Sequence, residues 1–209
     1  MPISALPLDI LPYLLPSRFV SSDRLAPFAE REFGSLPKGH QHVTAICSWL
    51  YENIDDTRGS SDEETTADES LLKRAGVCRD FAHLGIAFCR ALNIPARYTF
   101  GYLPDIAVDA PDTPMDFHAW TEVFIAGRWF TFDARHNMPR VGRVVVGFGR
   151  DAADVAMTTS YGALNLLQMT VWAEEVATTR EEPRPKLVPL EPAKPEHMTH
   201  AQLLGGGVR

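Results

Sequence analysis

Phe117-His118-Ala119-Trp120-Thr121-Glu122-Val123-Phe124-Ile125, then Ala126-Gly127, then Arg128-Trp129-Phe130-Thr131-Phe132-Asp133, reads as two strand-like runs around a two-residue turn. Aromatic and β-branched residues fill both runs, and a two-residue loop is the commonest hairpin connection between such segments. The loop length sets the register. Ile125 faces Arg128, and the numbers of paired residues sum to 253. Trp120 then faces Asp133, and His118 becomes a diagonal neighbour of Asp133 on the same sheet face, with Cβ atoms about 7 Å apart. A loop one residue longer or shorter would put the two on opposite faces.

Outward from the hairpin, the period of the apolar residues changes at Pro95. After it the chain alternates, and strands fit about 96–102, 118–125, 128–133, 143–148 and 165–176. In the last, Leu167, Met169, Val171 and Ala173 alternate with Gln168, Thr170, Trp172 and Glu174. Before Pro95 the period is helical. A helix fits about 23–33 with Ser22 as cap, and another fits about 40–54, where Val43, Ile46, Cys47, Leu50 and Ile54 share one face. Thr66-Ala67-Asp68-Glu69 reads as a capping box opening a short helix through Ala75, and Gly76 ends it. Residues 1–22 are broken by prolines and read as extended. Helices first and antiparallel strands after argue for an α+β fold rather than a doubly wound sheet.

Gly76-Val77-Cys78-Arg79-Asp80-Phe81-Ala82 places a cysteine at the first turn of the next helix, which runs to about Leu92 with Phe81, Leu84, Gly85, Phe88 and Leu92 on its buried face. The partial positive charge of a helix N-terminus favours a thiolate there. With His118 as base and Asp133 as orienter, Cys78 completes the elements of a cysteine triad.

Length and composition narrow the remaining possibilities. At 209 residues and 45% hydrophobic, the chain suffices for one substantial domain, expected over 1–180, and the Pro- and Gly-rich 181–209 reads as a tail. A net charge of −7 argues against a nucleic-acid partner, which would need clustered Lys and Arg. No apolar run reaches membrane-span length, and the start lacks a basic signal-like region, so a cytoplasmic protein without a membrane partner is expected. Three cysteines with no CxxC speak against a disulfide framework or zinc ribbon. Cys47 and Cys89 read as core thiols. His40 and His42, or His197 and His200, lack matching Cys or carboxylate partners, and the acidic loop at 55–69 lacks the EF-hand pattern. No metal and no cofactor is expected. His83 lies off the azimuth of Cys78 and reads as a support behind the site or as structural, and Trp120 and Trp129 as hairpin packing or also a wall of the cleft.

Gly76-Val77-Cys78-Arg79-Asp80-Phe81-Ala82-His83-Leu84, Ile94-Pro95-Ala96-Arg97-Tyr98, His118-Ala119-Trp120-Thr121-Glu122-Val123 and Trp129-Phe130-Thr131-Phe132-Asp133 together resemble the transglutaminase-like superfamily. More narrowly they resemble its small bacterial members, often described as cysteine proteases. Gly149-Arg150-Asp151-Ala152-Ala153-Asp154-Val155 and Thr158-Thr159-Ser160-Tyr161-Gly162 are similar to that bacterial branch. The resemblance covers about 40–176 and implies a papain-like α+β core with Cys78, His118 and Asp133 as the triad. There are departures. Asp133-Ala134 stands where the family often has Asp-Pro, and the tryptophan that helps bind the oxyanion in animal enzymes has no counterpart in Ser60–Thr66. The flanking domains and calcium sites of those enzymes have no room here.

The expected activity is acyl transfer from a peptide or protein amide through a thioester, with water favoured over an amine as acceptor. The alternatives are a protein-glutamine amine transferase and a non-catalytic binding module of the same fold.

Overall fold

The computed structural model of the protein describes residues 3–109, 115–165, 167–173 and 175–176. Four helices precede a four-stranded sheet. They are α1 (Ser22–Phe33), α2 (His40–Asn53), α3 (Ala67–Lys73) and α4 (Cys78–Ala91). Two short strands, β1 (Asp55–Asp56) and β2 (Ala75–Gly76), pair in parallel between them. The main sheet holds β3 (Ala96–Tyr102), β4 (Phe117–Ile125), β5 (Arg128–Phe132) and β6 (Val144–Gly149) in the antiparallel order β5-β4-β3-β6.

Helix α4 is the centre of the molecule. Every residue from Asp80 to Arg90 is buried, because α1, α2 and α3 pack around it and β4 and β3 pack beneath it. The neighbouring helices contribute single stripes, Leu25, Ala29 and Phe33 on α1 and Val43, Ile46, Cys47 and Leu50 on α2. One continuous apolar core runs from Val20 to Ala134. Within it, Phe28 stacks on Phe88 at 5.4 Å between ring centroids.

The hairpin register is the one that the two-residue loop dictates. Ile125 pairs with Arg128, and pairing continues to Thr121 opposite Phe132. Ala126 and Gly127 both have positive φ, 51° and 84°, as the type I′ turn of a right-twisted hairpin requires. Thr66 opens α3 with the expected capping box, its N–H donating to Glu69 Oε2 at 2.9 Å. That helix stops at Lys73 rather than Ala75. Arg74 turns left-handed at φ 55°, and this frees Ala75 and Gly76 to pair with β1.

Two expectations are corrected. The N-terminal segment is not extended throughout, since Ile3–Ala5 and Leu8–Leu14 form 3-10 turns between prolines. The strand expected at 165–176 is absent among the described residues of that range. Alternation gives that segment an apolar face, but among the described residues little covers it: Leu167 is 94% and Met169 42% exposed. The tail 181–209 lies outside the described residues.

Candidate active site

The site forms where the N-terminus of α4 meets the start of β4. Cys78 is the first residue of α4 and is partly buried. Its helix start is capped from within: the Val77 N–H donates to Asp80 Oδ2 at 2.8 Å, and the Ser61 hydroxyl donates to the same oxygen. Asp80 is fully buried, so this carboxylate fixes the backbone on which Cys78 sits. From the sheet side, the backbone N–H of Ala119, the residue after His118 on β4, is near enough to the Cys78 thiol to favour its thiolate.

His118 and Asp133 come together as the hairpin spacing requires. Nε2 of His118 lies 2.8 Å from Asp133 Oδ2, with both side chains buried. A proton shared with a carboxylate at Nε2 leaves Nδ1 as the ring's acceptor. The sequence did not single out two further groups on the same Asp133 oxygen. His136 Nδ1 lies 3.1 Å away, and Arg143 NH2 donates at 2.9 Å. Arg143 also stands over the Trp120 ring, 5.0 Å from its centroid, so Trp120 forms a wall for the guanidinium. Neither residue follows a periodic pattern. Their only sequence signal is a basic run shortly after Asp133.

Burial and hydrogen bonding determine the charges. Burial alone would raise the Asp133 carboxyl, but the hydrogen bonds from His118 and His136 and the charges of His118 and Arg143 hold it well below the usual carboxylate range. Burial lowers His118, and the pull of Asp133 only partly offsets it. Burial raises the Cys78 thiol, against the Ala119 N–H, the Arg135 charge and the Arg79 N–H. The helix terminus therefore does not make Cys78 a standing thiolate. At neutral pH these directions leave Cys78 a neutral thiol and His118 a neutral imidazole, the latter hydrogen-bonded to the one anion, Asp133.

His118, Asp133 and His136 bring potential ligand atoms within 4.8 Å of one another. Distances of 2.8 and 3.1 Å between ring nitrogen and carboxylate oxygen require N–H groups there rather than lone pairs, and the Arg143 guanidinium already supplies the positive charge. The donor set is that of a hydrogen-bonded carboxylate and does not fit a resident metal. His42 is buried and lowered by burial, while His40 packs on Phe130 and Phe132. In the acidic loop, Asp56 pairs with Arg135 at 2.7 Å, Asp62 accepts from Glu64 and Thr65, and Glu69 caps α3. Cys47 and Cys89 are buried, and burial drives their thiols up, Cys89 to about 12. His83 lies between Phe19 and Tyr98, where its Nε2 accepts from the Ala152 N–H.

The model of the transglutaminase-like superfamily matches residues 28–134, just over half of the chain. The chain belongs to the transglutaminase-like superfamily. The matched span holds Cys78, His118 and Asp133. An uncharacterised protein of Mycobacterium leprae is 32% identical over 127 residues, which are 58% of this chain and 45% of that protein. One from Mycobacterium tuberculosis H37Rv is 37% identical over 119 residues, which are 53% of this chain and 38% of that protein. The matches thus span less than half the length of these curated relatives. The crystal structure of a candidate cysteine protease from Cytophaga hutchinsonii superposes with a TM-score of 0.72 at 41% identity, covering 83% of this chain and 62% of that one. The fold of this superfamily member is thus the α+β, papain-like fold of its neighbour. No helix among the described residues is long and apolar enough to cross a membrane.

Proposed function

We propose that this protein is a thiol-dependent acyl-transfer enzyme acting on amide bonds, with Cys78 as nucleophile, His118 as base and acid, and Asp133 as orienter. The observation that carries the reading is the 2.8 Å hydrogen bond from His118 Nε2 to Asp133, with the N–H of the next residue, Ala119, near the Cys78 thiol. In the reaction, Nδ1 of His118 takes the thiol proton as the sulfur attacks the amide carbonyl. The Cys78 backbone N–H, at the free end of α4, donates to the developing oxyanion. The imidazolium, stabilised by Asp133, returns its proton to the leaving amine, and a thioester remains. Water then attacks the thioester while His118 acts as base, releasing the acid and the free thiol.

Hydrolysis is proposed over amine transfer. The likeness to the Cytophaga hutchinsonii candidate cysteine protease supports it. We place the activity in the cytoplasm, on peptide or protein amides.

Iodoacetamide labelling with peptide mapping, alongside amide turnover, tests the reading. One fast site at Cys78, with turnover lost in Cys78→Ala, is the expected result. Three slow, equivalent thiols and no turnover would leave a binding module that keeps the fold.

A further inference from the structure

Beside the reacting groups, the sheet carries an aromatic trio that the proposed chemistry does not use. Phe117 precedes His118, and its ring stacks on Tyr102 at 5.0 Å and lies 5.9 Å from Phe100. Phe100 is the register partner of Ala119, whose N–H is near the Cys78 thiol. Phe117 lies two residues from Ala119 along β4, on the same face and about 7 Å away. These rings form the floor of a groove of about 320 Å³ that Gly147, Val155 and Met157 enclose. Phe117 also lines the small cleft that contains His118 and His136, so groove and reacting centre meet at one residue.

The groove stays open because β6 has a glycine at this point. A Cβ on Gly147 would stand 3.3 Å from Val155 Cγ1 and 3.4 Å from Phe100 Cε1, within the space between wall and floor. The side chains of Phe100, Phe117, Val155 and Met157 offer no charge. Apart from the Tyr102 hydroxyl, this lining gives a polar substrate group no side-chain partner in exchange for its hydration, whereas an apolar one is favoured by its area. The volume is that of a small-molecule site and exceeds what one side chain needs.

We propose that this groove is the specificity subsite of the enzyme, and that it takes an aromatic or large aliphatic side chain flanking the reactive amide. The inference rests on the acyl-transfer reading for its substrate, while its test does not need turnover. Chloroacetamide and N-phenethyl chloroacetamide both alkylate a thiol by displacing chloride, and only the second carries a phenyl ring about 7 Å from the sulfur. The rate of Cys78 labelling by each, normalised to the same reagent with free cysteine, gives a ratio for the wild type and for two variants. Met157→Glu puts a charge on a half-exposed wall position, where the fold tolerates it. Gly147→Val fills the floor. The expected ratio is at least about tenfold in the wild type, falling towards one in Met157→Glu and in Gly147→Val where that variant folds. A wild-type ratio near one, with Cys78 still the fast site, overturns the subsite and leaves the acyl-transfer reading standing. So does a high ratio that survives Met157→Glu. Absence of preferential labelling at Cys78 overturns both.

Discussion

Arg143 donates to the same oxygen of Asp133 that holds His118, at 2.9 Å beside 2.8 Å. A carboxylate with one cation and two imidazoles on a single oxygen is locked in ionisation and in direction. Asp133→Asn should keep the fold and lower amide turnover by orders of magnitude, since the amide favours the wrong imidazole tautomer. The equivalent change in the serine triad costs about ten-thousand-fold. Arg143→Gln should cost less, about ten- to a hundredfold in kcat, the worth of one charge-assisted hydrogen bond. Steady-state kinetics of the two variants decide it. Wild-type kcat in Asp133→Asn would remove Asp133 as orienter.

The charge states set the pH dependence. Burial lowers His118 below its usual 6.5 and raises Cys78 above its usual 9.0, so the active pair of neutral thiol and neutral imidazole spans the interval between them. kcat/KM should therefore be flat across neutral pH, with its acid limb below 6.5 and its alkaline limb above 9.0. The rate of Cys78 alkylation should still be rising at 9.0. A standing thiolate would instead alkylate at full rate near neutrality.

The cap on α4 should be measurable apart from catalysis. Asp80→Ala leaves the Val77 N–H and the Ser61 hydroxyl without their acceptor. Loss of such a cap costs about 1–2 kcal/mol. Urea denaturation should show that loss, and turnover should fall with it because Cys78 sits on the uncapped turn.

Acid should unfold the protein through its buried histidines. His83 is fully buried, and burial pushes it down to about 3, so the unfolded chain binds a proton there that the folded protein refuses between pH 6.5 and about 3. Stability must fall as pH drops through that window, by up to about 5 kcal/mol from this residue alone. His83→Gln should flatten the slope, since glutamine can still accept from the Ala152 N–H. Urea midpoints at pH 7 and 5 for both proteins check it. Equal slopes would show that His83 does not carry the acid sensitivity.

Chelation gives a further check. EDTA should leave turnover unchanged, because Asp56, Asp62 and Glu69 of the 55–69 loop are already engaged by Arg135, Thr65 and neighbouring backbone N–H groups. Loss of activity that calcium restores would mean that the loop changes partners on binding the ion.

Much of this site was legible in the sequence because parity and periodicity are local. The length of the Ala126-Gly127 loop alone placed His118 and Asp133 on one face, and apolar spacing placed α1, α2 and α4. Asp80 was visible as an acid near a helix start, but its burial depends on Ser61, nineteen residues away. His136 and Arg143 lie on an irregular loop, where no period says which side chains turn back to Asp133. Residues 165–176 show the converse. Alternation describes a strand's faces, whereas a strand also needs an unpaired edge that will accept it.

The two short strands have a mechanical consequence. β1 and β2 tie Asp56 to Gly76, two residues before Cys78, and Asp56 reaches across to Arg135, two residues after Asp133. The helix of Cys78 and the loop that follows Asp133 are thus bridged by one half-exposed ion pair of low worth. The core that surrounds α4 does not depend on this bridge. On warming, the bridge should yield first, so the protein would lose its chemistry while its far-ultraviolet circular dichroism was still native.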